Sequence, residues 1–414
     1  MDNDEHFFPS DRVRLRQRLP WLHLFRGFRI AFRGRPLLLG IVAVLLIDAG
    51  HQMIGIMPFA TGTSTAGREW IDAFDESQRR SIAVDLELLS AQPIGVLQDA
   101  ARHGADVVRP LWTIVRPARV LFERGHSWAQ VAAAWTEVLW ALLVWGVFGV
   151  AIARLAAMRF ATDNSPPLRD SLRYSFSKLV SSLAAPLLPM LGVFVLWMIC
   201  LAAGLFGRIP GIGPALVGVA FGLPLLLAAL MTLIVLVVAA GWPLMLSSIG
   251  AEDADGFDAF SRVYSYLFSR PWYSLWLAVA ALIYGSLLLT FLVTATEVLV
   301  PVSEWAVASG MGSDRVEQLL TGGGETIGVA TSAVHVWRRM LGLVLVGFVT
   351  SYFWTATTII YFLLRQSVDA TALDAVSQRG IEPMTKPKDS MPLVGMAAAE
   401  QRELSGGGEM SNRE

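Results

Sequence analysis

The chain predicts an all-α, polytopic transmembrane helix bundle of about six spans with interfacial amphipathic helices, and three observations carry that expectation. Apolar runs recur six times along the sequence, each long enough at 1.5 Å per residue to cross a hydrocarbon core of about 30 Å. The apolar share of the 414 residues is 54% and the charged share only 16%, with a mean hydropathy of +0.52, a composition of membrane rather than soluble globular proteins. Finally, the net charge of −1 conceals an asymmetry: eight arginines (Arg12, Arg14, Arg16, Arg18, Arg26, Arg29, Arg33 and Arg35) precede the first run, against the four acids Asp2, Asp4, Glu5 and Asp11.

Residues 1–35 therefore read as a cytoplasmic leader with an arginine-rich interfacial helix, since cytoplasmic flanks of spans carry the excess of Lys and Arg. The leader is too long and polar for a secretory signal, and no small-x-small cleavage site follows, so the first span is a retained anchor. Leu15, Leu19, Trp21, Leu22, Leu24, Phe25 and Phe28 interleave with the arginines. Anionic lipid of the cytoplasmic face is then the expected partner, and not nucleic acid.

The first hairpin covers 36–157, with spans at 36–57 and 133–157 around an external, amphipathic helical segment at 60–132. The second, 168–248, has spans at 178–205 and 213–245. Pro224 and the Gly241-Trp242-Pro243 turn divide the fourth run, so 211–249 forms either one broken span or two. The third hairpin, 257–365, has spans at 272–298 and 340–364 and an external loop at 299–337 carrying Glu304, Asp314, Glu317 and Glu325 against Arg315. Six spans return the C-terminus to the cytoplasm, where 366–414 is rich in Pro, Gly, Ser and acids and reads as largely disordered. Arg338 and Arg339 run against this topology; either they are paired at the outer end of the sixth span or the assignment fails there.

Ionisable groups inside spans cost about 2.5–3.5 kcal/mol each near the midplane, so they mark either function or paired networks. Asp48, His51 and Gln52 share one face of the first span by their i, i+3 and i+4 spacing. Glu137 falls at nearly the same depth on the second span. Glu297, Arg338 and Arg339 complete an outer cluster, which reads as a proton- or ion-coupled site or as a polar network that locks hairpins together. Gly218-x-x-x-Gly222 has the spacing of a helix-packing face. Gly322-Gly323-Gly324 lacks the Lys-Ser or Lys-Thr of a phosphate loop, and no serine lies in a G-x-S-x-G elbow. Cys200 is the single cysteine, and His103 and His126 have no second ligand at metal spacing; neither a metal nor a cofactor is expected.

Segments at the cytoplasmic face share a shape: an aromatic amphipathic stretch, a basic residue, then a span. Phe25-x-x-Phe28-x-x-x-Phe32-x-Gly34-Arg35-Pro36 parallels Phe260-x-x-Val263-x-x-x-Leu267-x-Ser269-Arg270-Pro271, and Asp170 to Leu179 parallels Asp258 to Leu267 more faintly. Either three units of interfacial helix plus hairpin repeat, at 10–157, 168–248 and 257–365, or juxtamembrane segments have converged. The strings Trp145 to Arg154, Gly241 to Met245, Asp255 to Arg262 with Tyr264-Ser265-Tyr266, and Tyr361 to Arg365 with Asp369-Ala370-Thr371 resemble multi-pass membrane proteins common in planctomycete bacteria. The likeness spans about 145–371. It implies a multi-pass membrane protein, and as that family has no assigned activity it implies no site.

The expected function is non-enzymatic, a structural, assembly or lipid-organising protein of the cytoplasmic (inner) membrane. The alternative is a transporter or permease-like protein with a polar site near Asp48, His51 and Glu137, because discontinuous helices such as the fourth often build substrate sites.

Overall fold

The computed structural model describes residues 20–57, 101–123, 125–321 and 327–377; among these, every regular element is helical. A 3-10 turn at Pro20–Phe25 leads into α1 (Arg26–Ala31) and α2 (Gly34–Ile56). Helical turns at 101–107 run into α3 (Arg109–Phe122), followed by α4 (Trp128–Thr162). The Ser127 hydroxyl accepts from the Gln130 amide while the Gln130 side chain accepts from the Ser127 amide, a reciprocal cap that fixes where α4 begins. Next come α5 (Leu168–Ser177), α6 (Leu179–Phe206), α7 (Gly213–Val219) and α8 (Gly222–Glu252). The third part comprises α9 (Gly256–Ser269), α10 (Pro271–Met311), α11 (Ser313–Thr321) and α12 (Ile327–Asp369).

Among the described residues six helices, α2, α4, α6, α8, α10 and α12, are long and apolar enough to cross a membrane, which makes the chain a multi-pass membrane protein. The fourth span is a single helix, and its break differs from the expected one. Pro224 falls in the first turn of α8, where a missing N–H is harmless, and Pro243 is carried inside α8 without ending it. The interruption is at Ala220 and Phe221, between α7 and α8.

The loop expected over 299–337 is largely helix instead. At 1.5 Å per residue the 41 residues of α10 reach about 62 Å, and together with α12 they rise past the bundle as a stalk. Arg338 pairs with Glu304 there, and the Thr331 hydroxyl donates to the Leu319 carbonyl at 2.6 Å. The first contact joins α10 to α12 and the second joins α12 to α11, and neither is visible to a hydropathy pattern.

The core lies where α4, α8 and α12 meet. The Trp354 ring is 5.7 Å from that of Trp145 and 5.4 Å from that of Trp242, and all three indoles are buried. Gly40 of α2 meets the Gly347 backbone of α12 so closely that a Cβ on Gly40 would lie 2.6 Å from the Gly347 carbonyl. α3 runs back along α4, with the Trp145 indole donating to Thr113 Oγ1 at 2.8 Å. Of the segment expected as an external cap, residues 58–100 and 124 lie outside the described residues. The rest packs on the spans, because Leu111, Ile114 and Ala118 form an apolar stripe against the core. By contrast, α6 beyond Val193 and α8 before Val237 bury none of their side chains, leaving the far half of that pair with apolar flanks open to lipid.

Candidate functional site

The end of the bundle that carries α1, α5 and α9, here called basal, gathers the strongest polar chemistry. A helix ends with carbonyls that lack intrahelical partners and carry partial negative charge. At the C-terminus of α8, donors from elsewhere in the chain meet the last carbonyls: Tyr174 Oη on that of Ile249, which also accepts from the Asp253 amide, at 2.6 Å, Arg154 on that of Gly250 at 3.2 Å, the Ser377 amide on that of Ala251 at 3.1 Å, and Lys178 on that of Asp253 at 2.8 Å. Arg154 is only 2% exposed, and its guanidinium sits 4.6 Å from the Tyr174 ring centre. Both bonding and charge favour this placement.

Glu252 then joins three helices. It accepts from Arg365 of α12 at 2.6 Å and from Arg262 of α9. Arg365 also donates to the Ala372 and Ala375 carbonyls at 2.9 and 2.8 Å, holding residues 370–377 across the helix ends. Burial alone would lower the Arg262 pKa, but the hydrogen bond to Asp258 and the Glu252 and Asp258 charges hold it above its ordinary value. The Tyr266 hydroxyl donates to Asp369. Burial first, and that hydrogen bond second, push the phenol pKa up. Sequence spacing does not show that Arg262 and Arg365, the latter 113 positions from Glu252, meet at that one carboxylate.

The outer residues singled out from sequence are only partly brought together. Gln52 donates to Asp48 at 2.9 Å on the same helix. His51 and Glu137 are buried, 7% and 9% exposed, on the facing helices α2 and α4; Trp140, one turn beyond Glu137, donates to the Leu46 carbonyl at 3.0 Å. No hydrogen bond joins His51 to Glu137, and His51 Nε2 has no hydrogen-bond partner. Arg338 pairs with Glu304 of α10, two turns from Glu297, so of the two outcomes the sequence allowed for it, it is paired. Arg339 and Glu297 form no ion pair with a described residue. At the Gly218–Gly222 pair no described helix of this chain packs closely. The two glycines flank the break between α7 and α8, and a Cβ on either would meet nothing within 4 Å. The close approach belongs to Gly50, where a Cβ would fall 1.8 Å from Trp140 Nε1.

Of the eight leader arginines, Arg12, Arg14, Arg16 and Arg18 lie outside the described residues. Arg26 is half-buried beside Asp163 at 3.7 Å, and Arg35 donates to the Ser165 and Pro166 carbonyls at 3.0 and 2.9 Å. Arg29 and Arg33 are exposed, as are Arg169, Arg173 and Arg270 at the same end. Exposed rings stand among them: Phe25, Phe32, Phe176, Phe268 and Trp272. Among the described residues no group of three or more His, Cys, Asp or Glu is placed to hold a metal ion. Comparison with known proteins finds no matching family model, curated protein or solved structure.

Proposed function

We propose that this chain is a non-enzymatic scaffold of the cytoplasmic membrane that organises anionic lipid around its basal end, with both termini on the cytoplasmic side. The division of its arginines supports the reading. Arg154, Arg262 and Arg365 are consumed by carbonyls and carboxylates inside the bundle. Arg29, Arg33, Arg169, Arg173 and Arg270 stand exposed among aromatic rings, without an ion pair to a described residue. Basic side chains near the headgroups with rings at the interface are the arrangement that binds anionic lipid, each cation contributing about 1 kcal/mol.

The test is lipid retention by the purified full chain in mixed micelles of phosphatidylglycerol and phosphatidylcholine. Retention should favour phosphatidylglycerol, weaken with salt, and fall when Arg29, Arg173 and Arg270 are replaced by Gln. Equal retention of both lipids would overturn the proposal. The transporter alternative draws on His51 and Glu137; a pH-dependent flux in vesicles, abolished by Glu137→Gln without loss of stability, would favour it.

A further inference from the structure

Each hairpin's second span ends at the basal face in the same backbone device. The residue after α4, α8 and α12, respectively Asp163, Asp253 and Ala370, takes the left-handed conformation with φ 56°, 64° and 54°, and these are the non-glycine residues with positive φ among those described. Two of the three corners are closed by short contacts. Lys178 reaches Asp253 Oδ1 at 2.9 Å, with that aspartate's side chain 11% exposed, and Tyr266 bonds Asp369 beside Ala370.

The first corner is built alike but is held more loosely at its aspartate. Arg26 Nη2 and Arg159 Nε both approach Asp163 Oδ1, but at 3.7 and 3.8 Å, beyond hydrogen-bond length, and that carboxylate is 68% exposed. Arg35 is anchored on the Ser165 and Pro166 carbonyls, and exposed Arg169 follows in the first turn of α5, next to Asp170. Arg35 of α2 and Arg159 of α4 thus meet at the one turn that follows α4, and exposed Arg169 lies six residues after Asp163. Phe25 and Phe32, about half exposed, flank the same end.

We infer that this corner is a discrete site for the phosphate of an anionic phospholipid, held by Arg35, Arg159 and Arg169. Planar guanidiniums suit a phosphate's oxygens, and the rings at the mouth of the spans match a headgroup with its glycerol and upper chains rather than free phosphate. The inference rests on the lipid-organising reading and narrows it to one corner.

Native mass spectrometry of the full chain with phosphatidylglycerol tests it. Arg159→Gln and Arg169→Gln should each lower the most tightly retained lipid about fivefold, whereas the control pair Arg173→Gln and Arg270→Gln should leave that lipid in place while reducing loosely held ones. Melting temperature measured in parallel separates binding from folding, and Arg159→Lys should keep part of the affinity. Equal losses in both sets, or displacement of the lipid by inorganic phosphate at equal concentration, would overturn the site while leaving the general reading intact. No retention by the unaltered chain would overturn both.

Discussion

Arg365 of α12 donates to Glu252, the last residue of α8, at 2.6 Å, and both side chains are withdrawn from solvent, 4% and 13% exposed. Arg262 of α9 meets the same carboxylate but is 41% exposed. The geometry ranks the three. Removing one partner of a buried pair leaves an uncompensated charge and costs about 3–5 kcal/mol, whereas exposed pairs are worth about 0–1 kcal/mol. Glu252→Gln and Arg365→Gln should therefore lower the melting temperature in detergent much more than Arg262→Gln. Three equal shifts would mean that the carboxylate is not the shared tie.

Gly50 and Gly218 make a matched pair for the helix contacts. Gly50→Ala should force Trp140 off its bond to the Leu46 carbonyl and part α2 from α4, at about 1–3 kcal/mol for overpacking. Gly218→Ala should be near neutral, because its Cβ position is open. Thermal unfolding of the two variants checks this, and a loss at Gly218 would show that another chain packs there.

Tyr266 gives the alkaline limb of stability. Its folded pKa is raised, so the stabilisation is fully present below the ordinary phenol value of about 10 and is lost as pH rises beyond it towards the folded value. Melting temperature should fall above that pH in the unaltered chain and fall less steeply in Tyr266→Phe. Identical slopes would assign the alkaline loss to other groups.

Topology is open to thiol labelling. With Cys200→Ser as background, Ser313→Cys at the start of α11 should react with an impermeant reagent in intact cells, and Ser177→Cys at the end of α5 should not. Labelling of both, or of Ser177→Cys alone, would reverse or break the proposed orientation.

The number and rough positions of the six spans were legible in the sequence, because apolar length in a bilayer is a local property: each run of 20 or so residues satisfies its own backbone and announces itself. The basic end was legible for the same reason, as charge clusters sit next to the runs they flank. Boundaries that depend on a neighbour were not. Pro224 and Pro243 look alike as breakers, but α8 starts beside the first and carries the second, and the Glu304–Arg338 pairing, which ties the helical parts of 299–337 together, cannot be read from either partner's own neighbours. The same limit hid the main polar assembly: Arg154, Lys178, Glu252, Arg262, Tyr266, Arg365 and Asp369 are scattered over the chain and meet because the ends of α8 and α12 need donors and counter-charges. Spacing reveals what one helix places on its own face; which faces meet, and so which charges are buried in pairs and which stay exposed, was decided by packing between helices distant in sequence.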